Sequence, residues 1–262
     1  MLALPSAYVS LFKMARSSKQ LSIAFPNGWG GARKGAGRRS TAADGRAGVP
    51  HRRRDVPSLA TKGAVHVTMR FVDDISNLRT SRCMRALWFA FAKGKERDGF
   101  RLCHYAVQRN HIHLICEVDD RQALMRGMKG LSVRVARQLN KALRRSGRVI
   151  ADRYHVRVLE SLRQLRAAIA YVINNRRRHL YEHGGWTVRR DFVDPFSSGW
   201  YFDGFADGPR DRLPERLANV DAPVTAARAW PLQRGWRHHG LVAVDEIPAR
   251  RASDRRRRRA MP

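Results

Sequence analysis

Alternation of apolar and polar positions predicts four β-strands in the chain. They lie at residues 64–71, 100–108, 109–118 and 149–160. In the first stretch Val65, Val67 and Met69 share one side, because successive side chains of an extended strand point to opposite faces. The third stretch follows the second through a tight turn at Arg109–Asn110, so these two strands are predicted to form a hairpin.

Helical periodicity predicts three helices between and after the strands. They span about Leu78 to Lys93, about Arg121 to Arg145, and Leu162 to about Arg178. Asp120 can cap the second helix, and Ser161 with Gln164 can form a capping box at the third. The order β-α-β-β-α-β, followed by one more helix, predicts an α+β fold with a ferredoxin-like core. In this fold two helices cover one face of an antiparallel sheet, and the other face stays partly open.

Composition divides the chain into three predicted parts. Residues 1–60 contain the Gly- and Arg-rich stretch GGARKGAGRRSTAADGRAGVPHRRR and are expected to be a flexible basic arm. Residues 61–205 are expected to form the folded domain. Residues 206–262 are expected to be a loosely structured basic tail, with one short helical segment around Ala222 to Gly235.

Charge restricts the partners of this chain. With 52 Lys and Arg against 22 Asp and Glu, the formal net charge is +30, which favours a polyanionic partner and nucleic acid first. No apolar run is long enough to predict a membrane-spanning helix. The three cysteines are scattered, which indicates buried thiols in a reducing cytoplasm rather than a disulfide or a thiolate metal site.

Polar residues collect on the sheet face that lies opposite the predicted helices. In the stretch RNHIHLICEV the imidazoles of His111 and His113 share this face. Neighbouring strands add His66, Thr68, Arg70, His104, Gln108, Arg153, His155 and Arg157. This set suits phosphate and a metal-assisted reaction, although two ordinary surface histidines would also explain the His-x-His spacing.

A tyrosine on the last helix strengthens the catalytic interpretation. At about 100° per residue, Tyr171 falls opposite the apolar stripe of this helix, and Asn175 lies one turn later. A tyrosine hydroxyl can attack a phosphodiester and form a covalent phosphotyrosine. Two imidazoles and one carboxamide oxygen leave open positions on a divalent cation for phosphate oxygens. A surface aromatic residue remains the alternative explanation for Tyr171.

These motifs together resemble a known family. NHIHL resembles the His-hydrophobic-His motif of HUH endonucleases, and YVINN resembles the Tyr-x-x-x-Asn/Gln helix of their single-tyrosine branch. The chain is most similar to the REP-associated tyrosine transposases, which are relatives of the insertion-sequence-200-like transposases. The stretches GGARKGAGRR, VHVTMR, GRVIADRYH, YVINNRRRH and DPFSSGWYFDG carry the similarity over about residues 28–205, with a weaker echo in WPLQRGWRHHG. A proline that often precedes the last helix in the family is replaced here by the capping box.

The resemblance implies a role for each matching residue. Tyr171 would be the nucleophile, forming a 5′-phosphotyrosine link and freeing a 3′-OH. His111 and His113 would bind Mg²⁺ or Mn²⁺, with Asn175 as the third ligand. The substrate would be single-stranded DNA beside a hairpin, with no nucleotide cofactor and no membrane, and the protein would act as a monomer or homodimer.

Basic residues are the weaker predictions for DNA contact. They are Arg70, Arg153, His155 and Arg157 on the sheet, and Arg33, Lys34, Arg38 and Arg39 in the arm. A solvated strand face and a solvated arm explain them about equally well. The alternative function is a basic nucleic-acid-binding protein without catalysis.

Overall fold

The computed structural model describes residues 63–184, 188–207 and 220–248. The predicted arm, with Arg33, Lys34, Arg38 and Arg39, lies outside these residues, and so does the end of the predicted tail. Within the described ranges, no helix is both long enough and apolar enough to cross a bilayer.

A five-stranded antiparallel sheet forms the centre of the domain. Its strands are β1 (Gly63–Arg70), β2 (Glu96–Arg97), β3 (Phe100–Val107), β4 (His111–Val118) and β5 (His155–Leu159). Their order across the sheet is β2-β3-β4-β1-β5. Without the two-residue β2, which the sequence pattern does not predict, this is the ferredoxin-like arrangement, so the predicted fold class is confirmed.

Two helices cover one face of the sheet. Helix α1 (Ser81–Ala92) begins where Thr80 accepts a hydrogen bond from the backbone N–H of Cys83, and α2 (Arg121–Leu143) begins where Asp120 accepts one from Ala123. Helix α2 ends earlier than predicted, because Arg144 adopts a left-handed conformation with φ 52°. Both helices pack on the apolar side of the strands.

Strand β4 separates its side chains as the alternation predicts. Ile112, Leu114, Cys116 and Val118 are fully buried in the core between the sheet and the helices α1 and α2. Ile115 belongs to a second core on the opposite face. The histidine face of β4 therefore has its own apolar neighbours.

Much of the second face is covered, and it stays open around the exposed His155 and Arg157, so the predicted open part is smaller than expected. Helix α3 (Leu162–Ile173) packs across it, capped by Ser161, whose side chain accepts a hydrogen bond from the backbone N–H of Gln164. Residues 193–205 and 232–244 complete this core with aromatic and aliphatic side chains. The cause is the apolar content of the face itself, since Cys103, Ala106 and Ile115 project from it and are buried.

Glu117 anchors the segment that closes this core. Its buried carboxylate accepts hydrogen bonds from the backbone N–H of Ala229 at 2.7 Å and of Arg228 at 3.0 Å. These donors precede the single turn α5 (Trp230–Gln233), which lies inside the segment predicted to be helical. A 3-10 turn at Gly235–His239 follows and packs on α3. Residues 220–248, placed by prediction in a loosely structured tail, thus pack on the domain.

Two predicted elements are shorter or interrupted. Strand β5 begins at His155, because residues 149–154 make only one isolated bridge, between Ile150 and Phe71. The predicted last helix is broken at Asn174, and a separate helix α4 runs over Asn175–Gly184. The side chain of Asn174 donates hydrogen bonds to the carbonyls of Ala243 and Glu246, which draw this residue out of helical geometry.

Candidate active site

The imidazoles of His111 and His113 meet on the second face of the sheet. Their Nε2 atoms lie 3.1 Å apart, and the two rings are nearly perpendicular, with 85° between their planes. Two neighbouring nitrogen ligands of an octahedral ion have about this separation when each bond is about 2.1 Å long. The pair is therefore spaced as two ligands of one cation.

Hydrogen bonds to the other ring nitrogens favour the ligand form of His111 and are compatible with it in His113. The Nδ1 of His111 lies 2.9 Å from the amide oxygen of Asn110, which can only accept. The Nδ1 of His113 lies 3.2 Å from the hydroxyl of Thr68 and 3.2 Å from the Nε2 of His66. The Nδ1 of His111 therefore carries the proton of the neutral ring and leaves a lone pair on Nε2, which is the arrangement that metal-binding histidines need. Both partners of the His113 Nδ1 can donate or accept, so they are compatible with the same arrangement.

The environment also keeps His111 neutral. Burial lowers the pKa of His111, and the charges of His179 and Arg70 lower it further. Arg70 is its cross-strand partner on β1, and His179 comes from α4. A neutral imidazole at ordinary pH remains available as a ligand.

Tyr171 reaches the histidine pair from α3. Its hydroxyl oxygen lies 3.4 Å from the Nε2 of His113, and its ring packs edge-on against the rings of His113 and His66. The position of Tyr171 on the helical wheel predicts a side chain that points away from the core, but its ring is half-buried. Helix α3 contacts the sheet on one side and the C-terminal segment on another, so more than one of its sides is covered.

A positive charge lies over the tyrosine ring. The guanidinium carbon of Arg178 is 5.3 Å from the ring centroid of Tyr171. Its Nε donates to the carboxylate of Glu182 at 3.1 Å, and both side chains are mostly buried. A held guanidinium beside the ring favours negative charge as it develops on the phenolic oxygen.

Asn175 is fully buried, and neither atom of its side-chain amide has a hydrogen-bond partner among the described residues. Such a group costs free energy unless it gains a partner. The helix break at Asn174 places Asn175 at the start of α4, so the helix that was predicted to be continuous is interrupted between Tyr171 and Asn175. The side-chain oxygen of Asn175 has no hydrogen-bond partner among the described residues, and Asn175 follows Tyr171 closely in the chain. It is therefore still suited to bind a divalent cation.

Comparison with known proteins now identifies the domain. A family model described as "Transposase IS200 like" matches residues 62–180. These residues match the IS200-like transposase family. The family predicted from the motifs is thus confirmed, and the matched segment contains the histidine pair, the tyrosine and helices α1 to α3.

Solved structures of transposases are also similar to this chain. One, titled as a REP-associated tyrosine transposase bound to a REP hairpin, shares 18% identity, covers 64% of this chain and 94% of its own, and has a TM-score of 0.43. Another, described as a candidate transposase from Deinococcus radiodurans R1, shares 14% identity, covers 48% of this chain and 93% of its own, and has a TM-score of 0.33. A comparison with curated proteins finds no match.

Some predicted DNA-contact residues of the transposase domain share the face of the site. His155 and Arg157 pair across the sheet with Thr68 and His66, so their side chains point to the histidine side. Both are exposed, as is Arg70, whose ion pair with an aspartate is open to solvent. Arg153 is exposed in the loop before β5, outside the strand in which it was predicted.

Sequence reasoning missed the groups that support the site. Asn110 was assigned only to a turn, and His66 only to the polar face, yet each holds a ring nitrogen of the histidine pair. The sequence pattern assigns no role to Arg178 or His179. Only the contact of Asn110 could have been predicted from the sequence, because Asn110 directly precedes His111. The contacts of the other residues join parts of the chain that are far apart in sequence.

Proposed function

We propose that this transposase domain is a single-tyrosine HUH endonuclease and strand transferase acting on single-stranded DNA. Tyr171 is the nucleophile, and His111 and His113 hold Mg²⁺ or Mn²⁺, with Asn175 as a further ligand. The observation that carries this proposal is the 3.4 Å approach of the Tyr171 hydroxyl to His113, beside two Nε2 atoms that lie 3.1 Å apart.

The reaction forms one bond to phosphorus and breaks another. The phenolic oxygen of Tyr171 attacks a phosphodiester while the bond from phosphorus to O3′ breaks. The phenolic proton leaves to solvent, and the departing oxygen takes up a proton to become a 3′-OH. The phosphotyrosine conserves the energy of the broken bond, so a 3′-OH can reverse the step and join strands without ATP.

Residues of this chain supply the positioning. Half-burial of Tyr171 against His66 and His113 restricts the ring, and Arg178 lies over it. A divalent cation bound at the histidine pair would neutralise charge that develops on the phosphate oxygens. The hydroxyl meets a histidine of its own chain, so one copy of the domain suffices for the proposed reaction.

The substrate class follows from charge and from the motifs. The net charge of +30 and the exposed Arg70 and Arg157 favour a phosphate backbone along the histidine face. The resemblance to REP-associated transposases points to a single strand that flanks a hairpin. Binding without catalysis is the second candidate function, because the same charge would also support it.

A covalent-adduct assay separates the two functions. A labelled oligonucleotide with a hairpin and a single-stranded flank is incubated with the protein and Mn²⁺ or Mg²⁺, and the products are run on a denaturing gel. We expect a protein-linked band that depends on the cation and disappears in Tyr171→Phe. The matched control is Tyr181→Phe, which removes the same hydroxyl from an exposed ring on α4.

Two results of this assay would contradict the proposed function. An adduct that persists in Tyr171→Phe removes the basis for the assigned nucleophile. Salt-dependent binding of the oligonucleotide with no adduct under any cation supports the non-catalytic function instead.

A further inference from the structure

Helix α4 carries a second group of metal-binding side chains. His179, Glu182 and His183 occupy positions i, i+3 and i+4, which share one face of a helix. One ligand atom from each lies within 4.8 Å of those from the other two. Two histidines at i and i+4 on one helix face are a known arrangement for holding zinc.

The protonation of His183 suits this role. Its Nδ1 lies 3.1 Å from the backbone carbonyl oxygen of His179. A carbonyl can only accept, so Nδ1 carries the proton and the lone pair of the neutral ring is on Nε2. The rings of His179 and His183 lie edge to face, with centroids 5.7 Å apart.

Glu182 contributes a carboxylate to the same group, and an ion pair holds this carboxylate in place. Its ion pair with Arg178 is mostly buried, with 18% and 13% of the two side chains exposed, which fixes the carboxylate on this side of α4. Arg178 in turn lies over Tyr171. The group is thus connected to the nucleophile through one arginine.

We propose that His179, Glu182 and His183 bind a divalent cation, with Zn²⁺ the best match, through ligands other than the His111–His113 pair. Two imidazoles and a carboxylate are ligands that zinc commonly takes, and a fourth position stays open to water. Ligands of a tetrahedral zinc with bonds of about 2.1 Å lie about 3.4 Å apart, so rotation of the exposed His183 brings the group together. The bound ion links two successive turns of α4 and fixes the partner of Arg178.

The test uses the full chain without DNA and with the histidine pair removed. In the background His111→Ala/His113→Ala, Zn²⁺ is titrated calorimetrically, and Co²⁺ is titrated by its visible absorption as a spectroscopic probe of ligand geometry. We expect one ion to bind in this background. Adding His183→Ala should weaken its binding about tenfold or more, because one of three protein ligands is lost. His239→Ala, which removes another exposed histidine, should leave the affinity unchanged.

Two results would overturn the site. One is the absence of any bound ion in the double-variant background. The other is equal affinity in the His183→Ala and His239→Ala proteins, which would assign the binding to other groups. Since the background already lacks the histidine pair, neither result bears on the tyrosine chemistry proposed above.

Discussion

Replacing Glu117 by Gln should detach the C-terminal segment from the sheet. The carboxylate is 2% exposed and receives two backbone N–H groups, those of Arg228 and Ala229. Glutamine keeps the size of the side chain but loses the charge and one acceptor oxygen. The amide oxygen can take the place of Oε2, which accepts from both donors, and the NH₂ group then faces the N–H of Arg228 where Oε1 lies 3.2 Å away.

The expected loss of folding stability follows from the hydrogen bonds that the Glu117 carboxylate accepts. A hydrogen bond to a charged group contributes about 1.5–3 kcal/mol, and a buried donor without a partner costs about 1–3 kcal/mol. Both N–H donors can still be accepted by the amide oxygen of the glutamine, so the change removes the charge of the acceptor and places the NH₂ group against the N–H of Arg228. We therefore expect Glu117→Gln to lower the free energy of unfolding by about 1–3 kcal/mol.

Three measurements follow this change. Urea unfolding gives the loss of stability, and tryptophan fluorescence includes a signal from the segment, since Trp236, one of six tryptophans, is 2% exposed and packs in the second core. Amide hydrogen exchange should rise in residues 220–248 more than in α1 and α2. Glu160→Gln is the matched control, because Glu160 is exposed, and it should change stability by no more than about 0.5 kcal/mol.

The anchoring role would be refuted by a specific pattern. If Glu117→Gln unfolds within about 0.5 kcal/mol of the wild type and exchange in residues 220–248 stays the same, the carboxylate does not hold the segment.

Three further predictions concern other parts of the domain. Asn110→Ala should weaken Mn²⁺ binding in calorimetric titration by about tenfold to a hundredfold, because the neighbouring imidazole loses the acceptor that orients it; unchanged affinity would contradict this. Gly127→Ala should cost about 1–3 kcal/mol in urea unfolding, because its Cβ would lie 2.2 Å from the ring of Phe100, whereas Gly130→Ala meets only flexible side chains and should cost nothing. Burial lowers the pKa of His104 from 6.5 to about 4, so the unfolded chain binds this proton more readily. Stability should be full above about pH 6.5 and fall by up to about 3 kcal/mol as the pH drops towards 4, and His104→Phe should remove this component from the pH profile of unfolding.

The sequence alone was sufficient for the strands β1, β3 and β4, the first two helices and the histidine pair. Period-2 alternation reports which side of a strand is buried, and it placed Ile112 and Leu114 in one core and His111 and His113 on the other face. Adjacent imidazoles at i and i+2 on one strand follow from backbone geometry alone. Local capping residues likewise marked the starts of α2 and α3.

Tertiary contacts alone determined what meets the histidines and what covers their face. The hydroxyl of Tyr171 and the ring of His66 reach His113 from 58 and 47 positions away in the chain, and no local pattern reports such distances. The break between α3 and α4 depends on two carbonyls about 70 residues later, which bind the side chain of Asn174 in place of solvent. Periodicity shows that a face is apolar, but the chain segment that covers it is chosen by long-range packing and by single polar anchors such as Glu117.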